Sequence, residues 1–230
     1  MNTPPLEIKQ LDETGYSIEC GMVRAFLFIG EDKALLIDSG LGNHDIFECV
    51  KGVTNKPVML VNTHADRDHT GGNDKFDKIF MHPSEFAYYF ETEPANKNVF
   101  PLFDGEKIEL GNRTFEVILI PGHTPGSIAL LDEANRFLIS GDSVSAGPIF
   151  MFGNGRSIFA FMTSMERLSA ISDKFDTIYV SHGQVLLEKS QIKKLISAAE
   201  SLVKGELEGV DAPNGLPAKM FMKDGAGFYY

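Results

Sequence analysis

The chain has 230 residues, 43% of them apolar and 23% charged, and a formal net charge of −11 at neutral pH. That balance suits an ordinary globular protein of one sizeable domain, and the negative charge excludes a partner gripped through its phosphates, such as a long nucleic acid. Two cysteines, Cys20 and Cys49, are too few for a disulfide framework, no apolar run approaches membrane-spanning length, and the opening Met-Asn-Thr-Pro-Pro has no basic segment leading into an apolar one, so the expectation is a cytoplasmic protein without a membrane partner.

The first part alternates like antiparallel sheet: Leu6–Leu11, Tyr16–Gly21, Arg24–Ile29 and Lys33–Asp38, with turns at Asp12–Gly15 and Gly30–Asp32. A helix over about Asp45–Lys51 is expected to stop at Gly52. The apolar run Pro57–Val61 then reads as a buried strand. It delivers Val61–Asn73, VNTHADRDHTGGN, which packs His64, Asp66, Asp68 and His69 into six residues just past the strand end. Gly71-Gly72 allow a sharp turn and a close approach to a bound group. A strand at Lys78–Met81 leads to a helix over Pro83–Phe90, begun by Pro83, and Glu91–Asp104 reads as a surface loop.

Lys107–Leu110 and Arg113–Ile120 form a hairpin around Gly111-Asn112, and the second strand runs into Pro121-Gly122-His123-Thr124-Pro125-Gly126-Ser127. Ile128–Leu131 and Phe137–Ser140 are further strands, the latter ending at Gly141-Asp142-Ser143. Ser145–Met162 is rich in Phe, Met and Gly and carries few structural signals. Thr163-Ser164-Met165-Glu166 fits a capping box, which predicts a helix to about Lys174. Thr177–Val180 is a buried strand ending at Ser181-His182-Gly183. A helical stripe from Ser190 stops at Gly205, and Met220–Tyr230 has the makings of a hairpin around Asp224-Gly225. No linker or repeat interrupts the chain, so a single domain over 1–230, of mixed sheets with helices outside them, is expected.

His64, Asp66, Asp68, His69, His123, Asp142 and His182 each follow a predicted buried strand and have glycine adjacent or nearby. Taken alone, Asp-Arg-Asp-His is also a plausible solvated turn. Seven such residues at strand ends, including four of the six histidines, instead suggest a common sheet edge. Mixed imidazole and carboxylate donors point to a divalent metal used as a Lewis acid.

On these residues the chain resembles the metallo-β-lactamase-fold hydrolases. The family pattern is His-x-His-x-Asp-His followed by a lone His, an Asp and a final His. Here it is matched by His64-Ala65-Asp66-Arg67-Asp68-His69, by His123 in Gly-His-Thr-Pro-Gly-Ser, by Asp142 in Ser-Gly-Asp and by His182 in Ser-His-Gly. The resemblance runs from about Gly15 to Gly183. It implies an α/β (α+β) fold, a four-layer αβ/βα sandwich of two mixed sheets flanked by helices, with the site at one edge. It further implies two divalent metal ions: His64, Asp66 and His123 on the first, Asp68, His69 and His182 on the second, and Asp142 bridging. The departure is Asp66, where the family usually has His. A short acid in that register can still coordinate, and it favours iron or manganese over zinc at that position.

The expected chemistry is hydrolysis of a small ester-like molecule (thioester, lactone or phosphoester) by a metal-bridging hydroxide. Asp68 would also orient the nucleophile or relay its proton, and Asp38 is a candidate acceptor behind a ligand imidazole. The likeness is greatest to hydroxyacylglutathione-hydrolase-type members, although few basic residues follow His182 to meet glutathione. The rivals are a di-iron oxidoreductase of the same fold and a metal-binding module without catalysis. Outside the pattern, His44 and His82 read as surface or loop-packing residues, and Arg67 as a structural ion-pair partner. Cys20 and Cys49 read as packing. Phe150, Phe152, Phe159 and Phe161 either line a pocket or cover a loop, and Arg156 is a candidate for meeting an anionic substrate. The oligomeric state is not legible.

Overall fold

The computed structural model describes residues 6–93 and 98–230, so the opening Met1–Pro5 and the middle of the expected loop Glu91–Asp104 lie outside the described residues. The chain forms two compact units, Met1–Val117 and Ile118–Tyr230. No helix among the described residues is long and apolar enough to cross a membrane.

In the first unit seven strands form one sheet in chain order: β1 (Glu7–Gln10), β2 (Gly15–Cys20), β3 (Val23–Ile29), β4 (Ala34–Ile37), β5 (Val58–Val61), β6 (Ile79–Met81) and β7 (Val99–Pro101). Tight turns join β1 to β4, which pair antiparallel. Helices α1 (Ile46–Val53), α2 (Arg67–Thr70) and α3 (Phe86–Thr92) intervene between the later strands, which therefore pair parallel. The parallel register sets Ile37 beside Val61, so the exits of β4 and β5 are neighbours, and the Asp38 amide donates to the Val61 carbonyl at 2.9 Å.

Three expectations change here. Helix α1 does not stop at Gly52 but runs on to a cap at Thr54. One exposed glycine costs a helix only about 1 kcal/mol, which the buried Ile46 and Val50 offset. The helix expected at Pro83 opens as a 3-10 turn, Pro83–Glu85, before α3. The loop expected after it contains β7, whose hydrogen bonds are made to β6 and so leave no local pattern.

The hairpin β8 (Lys107–Glu109) and β9 (Thr114–Leu119) follows, and the division between units falls inside β9. Arg113, between these strands, is 7% exposed. Its Nη2 and Nη1 donate to Asp12 Oδ2 at 2.7 Å and Oδ1 at 3.1 Å, and its guanidinium lies 4.4 Å from the Phe28 ring centroid. Burial raises the Asp12 pKa, but the bond from Arg113, the backbone bonds from Thr14 and Gly15 and the Arg113 charge together outweigh that and hold the carboxyl below its usual value. A folded pKa below the unfolded one gives stability that is present above the unfolded value and is lost as pH falls through the folded one. Asp12→Asn is expected to destabilise the protein by about 1–3 kcal/mol near neutrality. Urea unfolding at pH 7 and pH 3.5 checks this: the variant's deficit should shrink in acid, whereas an equal deficit at both would discount the ion pair.

In the second unit β10 (Ile128–Asp132), β11 (Phe137–Ile139), β13 (Thr177–Tyr179) and β14 (Leu186–Glu188) lie in the sheet order β14-β13-β11-β10, β12 (Pro148–Phe150) belonging elsewhere. β11 and β13 are parallel, with Ile139 beside Tyr179, so the exits leading to Asp142 and His182 are neighbours. A four-stranded sheet, β12-β17-β16-β15, contains β15 (Val210–Asp211), β16 (Lys219–Lys223) and β17 (Ala226–Tyr229). The expected tail hairpin around Asp224-Gly225 is present. Its partner β12 lies in the segment that carried few signals. Helices α4 (Ile158–Ala170) and α5 (Ser190–Val203) bury Phe161, Met165, Leu168, Ile192 and Leu195 in this unit's core.

Helix α4 starts earlier than the Thr163 box predicts. Ser157 Oγ accepts from the Ala160 amide at 3.3 Å, while the Thr163 hydroxyl donates back to the Phe159 carbonyl inside the helix. The cap is Ser157, which the sequence reading did not single out, and burial of Ile158 and Phe161 fixes the helix start there. Cys20 and Cys49 are free thiols, and burial pushes that of Cys20 up to about 12, so both are packing groups.

Candidate metal centre

In the first unit the chain leaves β5 through Asn62-Thr63-His64. Asp38, buried and in a left-handed backbone conformation (φ 63°), sits where this strand exit meets that of β4. Its Oδ1 accepts the Thr63 amide at 2.8 Å, and its Oδ2 accepts both the Thr63 hydroxyl at 2.9 Å and Nδ1 of His69 at 2.7 Å. With its hydrogen spent on Asp38, the Thr63 oxygen can only accept from Nδ1 of His64, 3.0 Å away. One carboxylate thereby sets the tautomer of two imidazoles, the second through Thr63, with Nε2 of each as the nitrogen that could coordinate a metal. Asp38 has the place behind a ligand imidazole that the sequence suggests, and Thr63 is a member the sequence reading missed.

The acids of the motif stand beside those nitrogens. Asp66 Oδ2 is 3.5 Å from Nε2 of His64, Asp68 Oδ2 is 3.7 Å from Nε2 of His69, and the two rings are 4.1 Å apart between centroids. Asp66 occupies the N-cap position of α2 yet makes no side-chain cap bond. Glu85, buried beyond β6, accepts the Ala65 amide at 2.8 Å and so pins the turn between His64 and Asp66. Asn62 Nδ2 donates to the His69 carbonyl at 2.9 Å from the other side. Gly71 has an ordinary helical φ of −61°. It is glycine because a Cβ there would lie 2.3 Å from the backbone of Leu41, so it packs against the loop after β4 and not against a bound group. Arg67, expected in an ion pair, is exposed.

In the second unit His123 lies in the turn between β9 and β10. Nδ1 donates to the Phe150 carbonyl at 2.9 Å, which can only accept, so Nε2 is again the nitrogen that could coordinate a metal. Arg156 Nη1 donates to the His123 carbonyl at 2.6 Å and lies 3.2 and 3.3 Å from the two ring nitrogens. A point nearly equidistant from both would strike Cε1 if it lay in the ring plane, so Nη1 sits over the imidazole face. Arg156 therefore braces His123. Gly122 (φ 147°) lies against the Phe161 backbone, 2.5 Å from where its Cβ would stand, and only glycine allows that approach. Asp142 Oδ2 stands between two imidazoles, 3.7 Å from Nε2 of His123 and 3.2 Å from Nε2 of His182. Three imidazoles of the motif are buried, whereas the His182 side chain is 31% exposed.

Of the other sequence candidates, Phe161 is core and Phe159 is exposed. His82 accepts the Ser84 amide on Nδ1 and packs edge-on against Phe103, and burial lowers its pKa. It is a local structural histidine, and His44 is half-buried beside the start of α1. Glu85 had no signal at all: its partner is far along the chain, and a lone Glu after Pro83 reads as a helix-start acid.

The donor set fits a divalent metal. Three histidines have Nδ1 tied to an acceptor, and carboxylate oxygens lie next to their Nε2 atoms.

The family model described as the metallo-beta-lactamase superfamily matches residues 18–182. Among curated proteins the chain is 27% identical over 186 residues to the acyl-coenzyme A thioesterase MBLAC2 of Gallus gallus, covering 65% of this chain and 67% of that protein. It is 29% identical over 154 residues to a hydroxyacylglutathione hydrolase of Aliivibrio fischeri, covering 66% of this chain and 58% of that protein. The solved metallo-beta-lactamase of Pontibacter korlensis superposes with a TM-score of 0.74 at 18% identity, over 85% of this chain and 99% of that one. That likeness shows the α/β fold class expected from the sequence.

Proposed function

Because the chain belongs to the metallo-beta-lactamase superfamily, we propose that its two units make one domain with a dinuclear centre, in which His64, Asp66 and His123 hold one cation, Asp68, His69 and His182 a second, and Asp142 bridges. The protein is then a hydrolase of a small ester-like substrate, a thioester first among them. The observation that carries this is the Asp38 relay: a buried acid that orients two imidazoles and presents their Nε2 atoms on the same side as two further carboxylates. The thioester preference rests on two relatives, one named a thioesterase and one a hydrolase of a glutathione conjugate.

When bound, two divalent cations polarise a carbonyl oxygen and supply hydroxide near neutral pH. The chain's own residues do the rest. Asp38 and Thr63 keep His64 and His69 in one tautomer, and Phe150 does the same for His123. Asp68, half-buried at the start of α2, orients the attacking water and takes up its proton, which is then available to the leaving group.

Protein purified without added metal should contain about two ions per chain, since seven ligands exceed the needs of one catalytic ion. It should cleave thioesters in a panel with lactones and phosphoesters, lose activity to a chelator and regain it on reloading. Metal-loaded protein inert across the panel would mean a binding module. An iron chromophore with oxygen or nitric oxide turnover would mean an oxidoreductase.

Asp66 tests the metal assignment separately. Its carboxylate ignores the helix cap it could have made and stands by His64. Carboxylate in place of imidazole moves the first position towards harder ions, manganese or iron over zinc. Asp66→His is expected to raise the zinc share several-fold, read by elemental analysis after growth in equal metals. An unchanged zinc fraction would show that Asp66 is not a ligand.

A further inference from the structure

Phe150 serves the second unit twice. Its backbone carbonyl holds Nδ1 of His123, and its ring stands 37% exposed. β12 and β17 run parallel with Phe150 beside Tyr229 and Ile149 beside Phe228. Alternation along a strand sends neighbours to opposite faces. Ile149 and Phe228 are buried, the latter edge-on to Phe161 at 5.2 Å, so the partly exposed Phe150 and Tyr229 share the other face. Their rings meet edge-on at 4.9 Å, and Phe152 lies 5.6 Å from Phe150. The Met151 amide donates to the Tyr229 carbonyl at 2.8 Å, so the pair is set by backbone bonds and a packed core below. Tyr229 lies beyond residue 182, where the family match ends, so this half of the surface comes from the chain's own tail hairpin.

The shelf starts at the residue whose carbonyl holds Nδ1 of His123, so it stands next to a proposed metal ligand. We propose that Phe150, Phe152 and Tyr229 receive the acyl side of the substrate, selecting thioesters with a medium-length aliphatic or aromatic acyl group. This rests on the hydrolase reading above. It commits to the apolar end of the substrate because none of the three side chains is charged, and aromatic faces reward burial of apolar area.

The test uses the full metal-loaded chain and N-acetylcysteamine thioesters of acetate, butyrate, hexanoate and benzoate. In the wild type kcat/KM should rise about two- to fourfold per methylene laid on the shelf. Tyr229→Ala and Phe152→Ala should flatten that dependence, and Tyr229→Phe should keep it. Calorimetric titration with non-hydrolysable S-butyl and S-hexyl thioethers of the same thiol gives a readout independent of turnover, with the same loss of chain-length dependence. An equal dependence in wild type and both alanine variants, or none in the wild type, overturns the shelf. If no thioester is hydrolysed the hydrolase reading fails, and the thioether titration still decides the shelf. Melting curves exclude variants that do not fold, Phe152→Ala standing in for Tyr229→Ala where needed.

Discussion

Asp142→Ala is expected to lower thioester hydrolysis by at least about a hundredfold, the scale of removing one electrostatic group from a site, and to reduce bound metal below two ions per chain. The reason is position. A single oxygen of Asp142 faces Nε2 of His123 on one side and Nε2 of His182 on the other, at 3.7 and 3.2 Å. These nitrogens belong to different proposed cations, so the carboxylate is the one group of its unit placed to serve both. With both proposed cations bound, its loss would leave two positive charges without a shared anion, and repulsion between them would weaken the binding of each. Steady-state kinetics together with elemental analysis of dialysed protein checks this. Two tightly held ions and full activity in the variant would remove the bridging role.

Asp38→Asn should have the next largest effect: metal affinity lower by about 10- to 100-fold, the range for a partner that orients a ligand histidine. Asparagine tolerates the left-handed backbone at this position, so the change isolates the hydrogen bonds. The carboxylate accepts three donors, the Thr63 amide, the Thr63 hydroxyl and Nδ1 of His69. An amide side chain has one oxygen, and its NH2 must face one of these donors. Either His69 turns, or Thr63 is pushed away and His64 loses its acceptor. Titration against a competing chelator measures the loss. Thr63→Val should show a smaller drop, confined to the His64 arm, and wild-type affinity in both variants would reduce the relay to scaffolding.

How much of this was legible in the chain follows from the range of the interactions. Strand periodicity, turn residues and the polar residues just past each apolar run are local facts, and they marked β1 to β6, β8 to β11, β13 and the tail hairpin of β16 and β17, along with all seven proposed ligands. Even Asp38 could be singled out, because an acid at a strand exit followed by Ser-Gly has the same local form. The elements that were missed, β7, β12, β14 and β15, are two or three residues long. β6, β8, β11 and β13 are three residues long as well, but each is followed closely by a Gly, Pro or His turn signal that marks its end. The missed strands are fixed by the hydrogen bonds of a neighbour.

What the sequence by itself determined was the chemistry: which imidazoles and carboxylates stand at strand ends, and that their pattern is that of a known family of metal hydrolases. The tertiary structure decided how those groups are aimed. The parallel register of Ile37 with Val61 brings Asp38 to Thr63, the turn after β6 carries Glu85 to Ala65, and β12 beside β17 joins Phe150 to Tyr229. None of these pairs is close in the chain. Their meeting depends on sheet register, which is set by the packing of whole hydrophobic faces rather than by the residues that happen to touch.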